Sequence, residues 1–159
     1  LGRRVAADLF AVMAPRWNVM FVPSSDTQVQ TTQEARMSAQ EIGTKLVALC
    51  REGKGEECKD TLYASDIVSV EASAPPGGDR TARGIEAVRA KSKWWVDNHT
   101  VHKSEAFGPY PHGDDRFAVR FVYDITHKPT DKRFVMDEVA VFTVTNGKIS
   151  KEEFFYPTN

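Results

Sequence analysis

The chain has no surplus of charge of either sign. Its 21 Lys and Arg stand against 22 Asp and Glu, a formal net charge of −1. No block of like charge stands out, so the basic footprint that nucleic acid or an anionic membrane surface requires is missing. Cysteine is scarce. Cys50 and Cys58 are the only two, too few for a secreted disulfide scaffold. Both lie in a segment of helical spacing and read as reduced, buried thiols, which favours a cytoplasmic setting. No glycine-rich phosphate loop occurs, so no nucleotide fingerprint and no cofactor are expected. The four histidines are dispersed. His99 and His102 fall three apart on a predicted strand and thus on opposite faces, while His112 and His127 fall in predicted loops, so no metal site is expected. An apolar run long enough to span a membrane is also lacking. Arg3 and Arg4 precede an apolar stretch, as in a signal peptide; Asp8 breaks the stretch, Pro15-Arg16 ends it and no clear small-residue cleavage pattern follows, and it is too short and broken for a membrane span.

What is present suits one globular domain. The chain has 159 residues, 41% apolar and 27% charged, enough for one core and too few for two. Residues 23–36 are polar and rich in Ser, Thr and Gln, a linker composition. Ser38 with Glu41 three residues on is a capping box, which marks a helix start. The expected organisation is an N-terminal extension or linker over 1–36 and one domain over 37–159. The extension reads alternatively as an arm packed on the domain or on a partner subunit.

The spacing of Ile42, Leu46, Val47 and Leu49, with Gly53 as a stop, predicts a helix over 39–51. A second short helix is expected over 56–63. Asp66–Glu71 reads as a strand, because β-branched residues alternate with polar ones. Ala74–Asp79 is a loop. A third helix is expected from Arg83 to about Val96, with Ile85, Val88, Ser92 and Trp95 on one face. From there the period is two, with strands expected near 99–107, 116–126, 133–145 and 148–156. Gly108–Asp115 reads as a long loop, and Asn146-Gly147 between two apolar runs is a strong hairpin signal. This order predicts an α+β fold, three helices packed on one face of a curved, mostly antiparallel sheet.

Three segments carry a resemblance. Leu62-Tyr63-Ala64-Ser65-Asp66-Ile67-Val68, Arg83-Gly84-Ile85-Glu86-Ala87-Val88, and Asn146-Gly147-Lys148-Ile149 with Glu152-Glu153-Phe154-Phe155 resemble a helix-to-strand turn, a third helix and a last hairpin. They are those of the SnoaL-like branch of the nuclear transport factor 2-like superfamily. The resemblance spans about residues 38–157. It implies a cone-shaped half-barrel around an apolar cavity open at one end, and often a homodimer through the sheet. Relatives of this kind include polyketide cyclases, ketosteroid isomerase, limonene epoxide hydrolase, dehydratases and non-catalytic binding or dimerisation modules. Two departures limit the carry-over. Leu46 stands where ketosteroid isomerase has an oxyanion-donating tyrosine, and Arg120 is followed by Phe121-Val122 rather than by the Arg-x-Asp element of limonene epoxide hydrolase.

Acid–base chemistry in such a cavity needs a group whose pKa burial brings towards neutrality. Glu71 lies about where the resemblance places a general-base carboxylate; its plainer reading is an exposed strand end. Glu138 alternates with Met136, Ala140 and Phe142 on the face that the resemblance turns inward; its plainer reading is an ion pair with Arg120. His102 is expected to face the cavity in preference to His99, and histidine titrates near neutrality unaided. Tyr63, Trp95, Phe121, Tyr123, Met136, Phe142, Phe154 and Tyr156 are the expected lining, and Glu152 is expected inward in competition with Glu153. Ordinary core packing is the plainer reading for the rings. The functional expectation is a small apolar, carbonyl-bearing ligand that undergoes proton transfer, cyclisation or dehydration. The alternatives are a non-catalytic ligand-binding protein and a dimeric interaction module.

Overall fold

The computed structural model describes residues 36–75 and 77–158. The expectation of an extension therefore lies outside the described residues, save for Arg36. Helix α1 runs over Ala39–Arg51 and opens on the expected box. Ser38 Oγ accepts from the Glu41 amide at 3.3 Å and Glu41 Oε2 accepts from the Ser38 amide at 2.8 Å. Two of the orphan amides of the first turn are satisfied in this way. Helix α2 covers Gly55–Leu62, so Tyr63 leaves the helix and starts strand β1, Tyr63–Val70. A three-residue strand β2, Thr81–Arg83, follows; its shortness hid it from the period-two pattern. Helix α3 spans Ile85–Asn98. Its N-cap is Gly84 at φ +82, a conformation glycine adopts at little cost.

The remaining strands are β3 (His99–His112), β4 (Arg116–His127), β5 (Lys132–Thr145) and β6 (Lys148–Phe155). The expected loop over Gly108–Asp115 is thus mostly strand, and the turn is short. The β5–β6 hairpin turns at Asn146 and Gly147, both with positive φ (54° and 75°), as a tight primed turn requires. Arg36 donates to Asn146 Oδ1 at 2.7 Å and so ties the domain start to this hairpin.

One curved, unclosed six-stranded sheet results, in the order β2-β1-β6-β5-β4-β3. All its pairings are antiparallel except β1 with β6. The helices do not all precede the sheet: α3 is inserted between β2 and β3. Helix α1 packs on β3 and β4, and α3 packs on β1, β2 and β3. The sealed core joins Ile42 and Leu46 of α1, Leu62 of α2, Val88 of α3, and Ile67, Phe117, Val119 and Phe142 of the sheet. Gly43 is not helix punctuation, as its position alone suggests. A Cβ there would lie 2.8 Å from Pro109 Cβ and 3.0 Å from the Phe117 ring, so its bareness lets β3 and β4 approach α1. Cys50 and Cys58 are both free thiols.

Candidate functional site

Period-two alternation sets which side chains face the helices. On β1, Ile67 and Ser69 point inward, and Glu71 follows at the same parity just past the strand end. On β6, Glu152 pairs across to Ser69 and to Phe142 of β5. On β5, Glu138 sits beside Phe121 of β4 and two residues before Ala140, whose β6 partner is Phe154. Three carboxylates thereby converge on the inner face. Glu152 and Glu138 are 4% and 8% exposed, and Ser69 is wholly buried.

The group that ties this cluster together is one the sequence reading passed over. Lys91 of α3 donates to Ser69 Oγ at 2.6 Å and to Glu71 Oε1 at 2.6 Å, and lies 3.5 Å from Glu152 Oε1. Its ammonium also sits 4.4 Å from the Phe154 ring centroid, a cation–π contact. Glu152 accepts a 2.7 Å bond from the Tyr63 hydroxyl, and Glu71 a 3.0 Å bond from that of Tyr156. The signal for Lys91 was present. It lies three residues after Val88 and four before Trp95, on the inward stripe of α3. A charge on an apolar stripe points to a buried partner.

Glu138 differs from the other two acids. Among the described residues its carboxyl has no ion pair or hydrogen bond. Burial first, then the negative charge of Glu71, push its pKa up to about 7, against a smaller downward pull from Lys91. The expected pairing with Arg120 is not made. Arg120 grips Asp137 on the opposite face, at 2.9 and 2.6 Å, because adjacent residues of a strand point opposite ways. Burial, followed by the charge of Glu138, likewise raises the Tyr123 phenol. Burial and Glu152 raise Tyr63.

His102 is a correction. Ala106 does face inward, but the β3–β4 register shifts between Val101 and Lys103. This bulge inserts one residue and reverses parity. His102 is therefore exposed on the outer side, with Nε2 2.8 Å from Thr126 Oγ1. His99 lies inward instead, stacked on Trp95 at 4.8 Å between ring centroids. Phe142 is a second correction. It stacks on Phe117 at 5.0 Å and is buried in the core. The Tyr63 hydroxyl donates to Glu152. Trp95, Tyr123, Met136, Phe154 and Tyr156 are half-buried, and Phe121 is buried beside Glu138. Trp95 lies 5.4 Å from the Tyr123 ring, which stacks at 6.0 Å on Phe121. Two surface grooves lie apart from this cluster. One of about 380 Å³ is lined by Met37, Gln40, Glu41, Thr44 and Lys45, and one of about 350 Å³ is lined by residues including His112, Arg116 and Phe155. Among the described residues, no three of His, Cys, Asp and Glu gather closely enough to hold a metal ion.

An α+β domain with helices packed on one face of a curved sheet is an architecture that hosts many functions rather than one chemistry. The particular family is the SnoaL-like domain, whose model matches residues 37–156, and the chain belongs to it. A provisionally named SnoaL-like polyketide cyclase from Mesorhizobium loti is 42% identical, with a TM-score of 0.71 over 76% of this chain and 100% of that one. A provisionally named isomerase from Bacillus subtilis shares the fold at 18% identity, with a TM-score of 0.61 over 75% of this chain and 86% of that one. A protein of ketosteroid isomerase-like fold from Catenulispora acidiphila, in complex with trimethylamine, is 20% identical, with a TM-score of 0.52 over 73% and 85%. Comparison with curated proteins gives no match.

Proposed function

We propose that the protein binds a small apolar, carbonyl-bearing molecule against the inner face of its sheet and moves a proton on it through Glu138. One observation carries this reading: Glu138 is buried and, among the described residues, has no ion-pair or hydrogen-bond partner, and burial with the charge of Glu71 pushes its pKa up to about 7. A carboxyl of that kind can give a proton to a carbonyl oxygen or take one from the adjacent carbon with little driving force wasted. Glu71, which the sequence offers equally, is held by Lys91 and Tyr156 and is the less mobile partner. The half-buried rings of Trp95, Tyr123 and Phe154 offer apolar contact to such a ligand. Free thiols suit a reducing compartment such as the cytoplasm.

Glu138→Gln keeps the shape and removes the titration. On a confirmed cyclisation, isomerisation or dehydration substrate it should lower turnover by about 10²- to 10⁴-fold with an unchanged circular dichroism spectrum. Full turnover in this variant would falsify the proposal. Non-catalytic binding is the second reading, and Leu46 favours it. That side chain is sealed in the core, so α1 offers no hydroxyl at that position to a developing oxyanion. It predicts saturable thermal stabilisation by a ligand that is recovered unchanged.

A second copy of the chain is the proposed partner, seated on the outer face of the sheet. Phe107, Tyr110, Val135, Val139 and Phe155 are exposed there. The charges among them pair locally, as Lys103–Glu105, Arg120–Asp137, Asp124–Arg133 and Lys151–Glu153. A two-fold contact places a patch against itself, and a patch with neutralised charges does so without repulsion.

A further inference from the structure

We propose that Lys91 is the positioning residue of this site: it gathers Ser69, Glu71 and Glu152 onto one ammonium and leaves Glu138, among the described residues, as the inward carboxyl of the cluster without a fixed partner. The inference rests on the reading of Glu138 as proton carrier and names what makes that role available. An ammonium has three N–H donors. Three oxygens lie within 3.5 Å of this one, from Ser69, Glu71 and Glu152, and the Phe154 ring lies beneath it. Two of its donors are committed to Ser69 and Glu71, and Glu152 stands 3.5 Å away as an ion-pair neighbour. The tyrosines extend the arrangement at both ends, Tyr63 onto Glu152 and Tyr156 onto Glu71. Ser69, Glu71 and Glu152 thus have assigned partners, and among the described residues Glu138 has none.

The cation also acts on Glu138 through space. The charged groups that face Glu138 are Glu71 at the end of β1, Glu152 on β6 and Lys91 on α3, with the Tyr123 phenol beside it on β4. Both glutamates push the Glu138 proton affinity up, and Lys91 alone pulls it down. Without Lys91, two carboxylates would face a third with no cation between them. Glu138 would then be protonated in a larger fraction of molecules near neutral pH, and less of it would be available as a base.

The test needs no substrate. The protein is labelled with carboxyl-¹³C glutamate, the Glu138 signal is assigned by its loss in Glu138→Gln, and its titration is followed by NMR. The wild-type midpoint is expected near 7. Lys91→Met should raise it measurably, because Lys91 is the one charge that pulls it down. Lys91→Arg, which restores the cation, should bring it back. If Lys91→Met does not fold, Lys91→Met with Glu71→Gln removes one charge of each sign. That double variant should titrate above Glu71→Gln alone. A wild-type midpoint near 7 that neither comparison moves overturns the role of Lys91 and leaves Glu138 as proton carrier. A wild-type midpoint in the ordinary carboxylate range instead overturns the reading of Glu138 itself.

Discussion

Glu138 owes its chemistry to the contrast between its two neighbours in the chain and its two neighbours in space. Asp137 and Val139 point outward, where Asp137 meets Arg120. Glu138 points inward, where burial and Glu71 oppose its ionisation. The consequence for stability has a definite sign. A carboxyl whose pKa rises from 4.5 to about 7 on folding binds its proton more tightly in the folded state. The stability this contributes is complete below about 4.5 and is lost as pH rises through 7. The loss is on the order of 3 kcal/mol. In urea denaturation at pH 5 and pH 8, wild type should therefore lose more stability between the two than Glu138→Gln does. Equal pH dependence in the two proteins would show that Glu138 titrates alike folded and unfolded. Parity put one acid on each face of β5, and the family resemblance, not the count, pointed to Glu138 as inward; Glu152 stood in competition with Glu153. Residue identity and parity misplaced His102, because a bulge is invisible to counting, and they overlooked Lys91, because a lysine on a helix is usually solvated.

At the scale of elements, α1 shows how far local signals reach. Its capping box was legible from two residues three apart, and Ser38→Ala should cost about 1 kcal/mol, read as a lowered midpoint in thermal unfolding. Gly43 illustrates the opposite case. Helix propensity favours Gly43→Ala by about 1 kcal/mol. The Cβ would nevertheless collide with Pro109 and Phe117, and overpacking of this kind costs roughly 1–3 kcal/mol. The expected outcome is a net loss of stability in chemical denaturation; a gain would mean that β3 yields. The elements were legible where their period was sustained over several turns or residues. Strand β2 was missed because three residues show no period. The end of β3 was read as loop because Gly108, Pro109 and Pro111 are turn residues that here sit within an edge strand.

For the whole molecule, the outer sheet face is the feature that invites a partner. Val135 is 66% and Phe155 55% exposed, a large apolar exposure for a surface that faces only water. Wild type is expected to sediment as a dimer, and Val135→Lys with Val139→Asp as a monomer whose spectrum is unchanged. A wild-type monomer at micromolar concentration would remove the sheet contact from consideration. By itself, the sequence determined the α+β class, the helices and most of the long strands, because these follow from local periodicity and side-chain chemistry. Only the tertiary structure decided that Lys91 binds Glu71 and Glu152, that Arg120 takes Asp137, and that Glu138 is left alone. Each of those outcomes depends on which strand lies beside which and on where a helix crosses the sheet. No spacing along the chain encodes these distances.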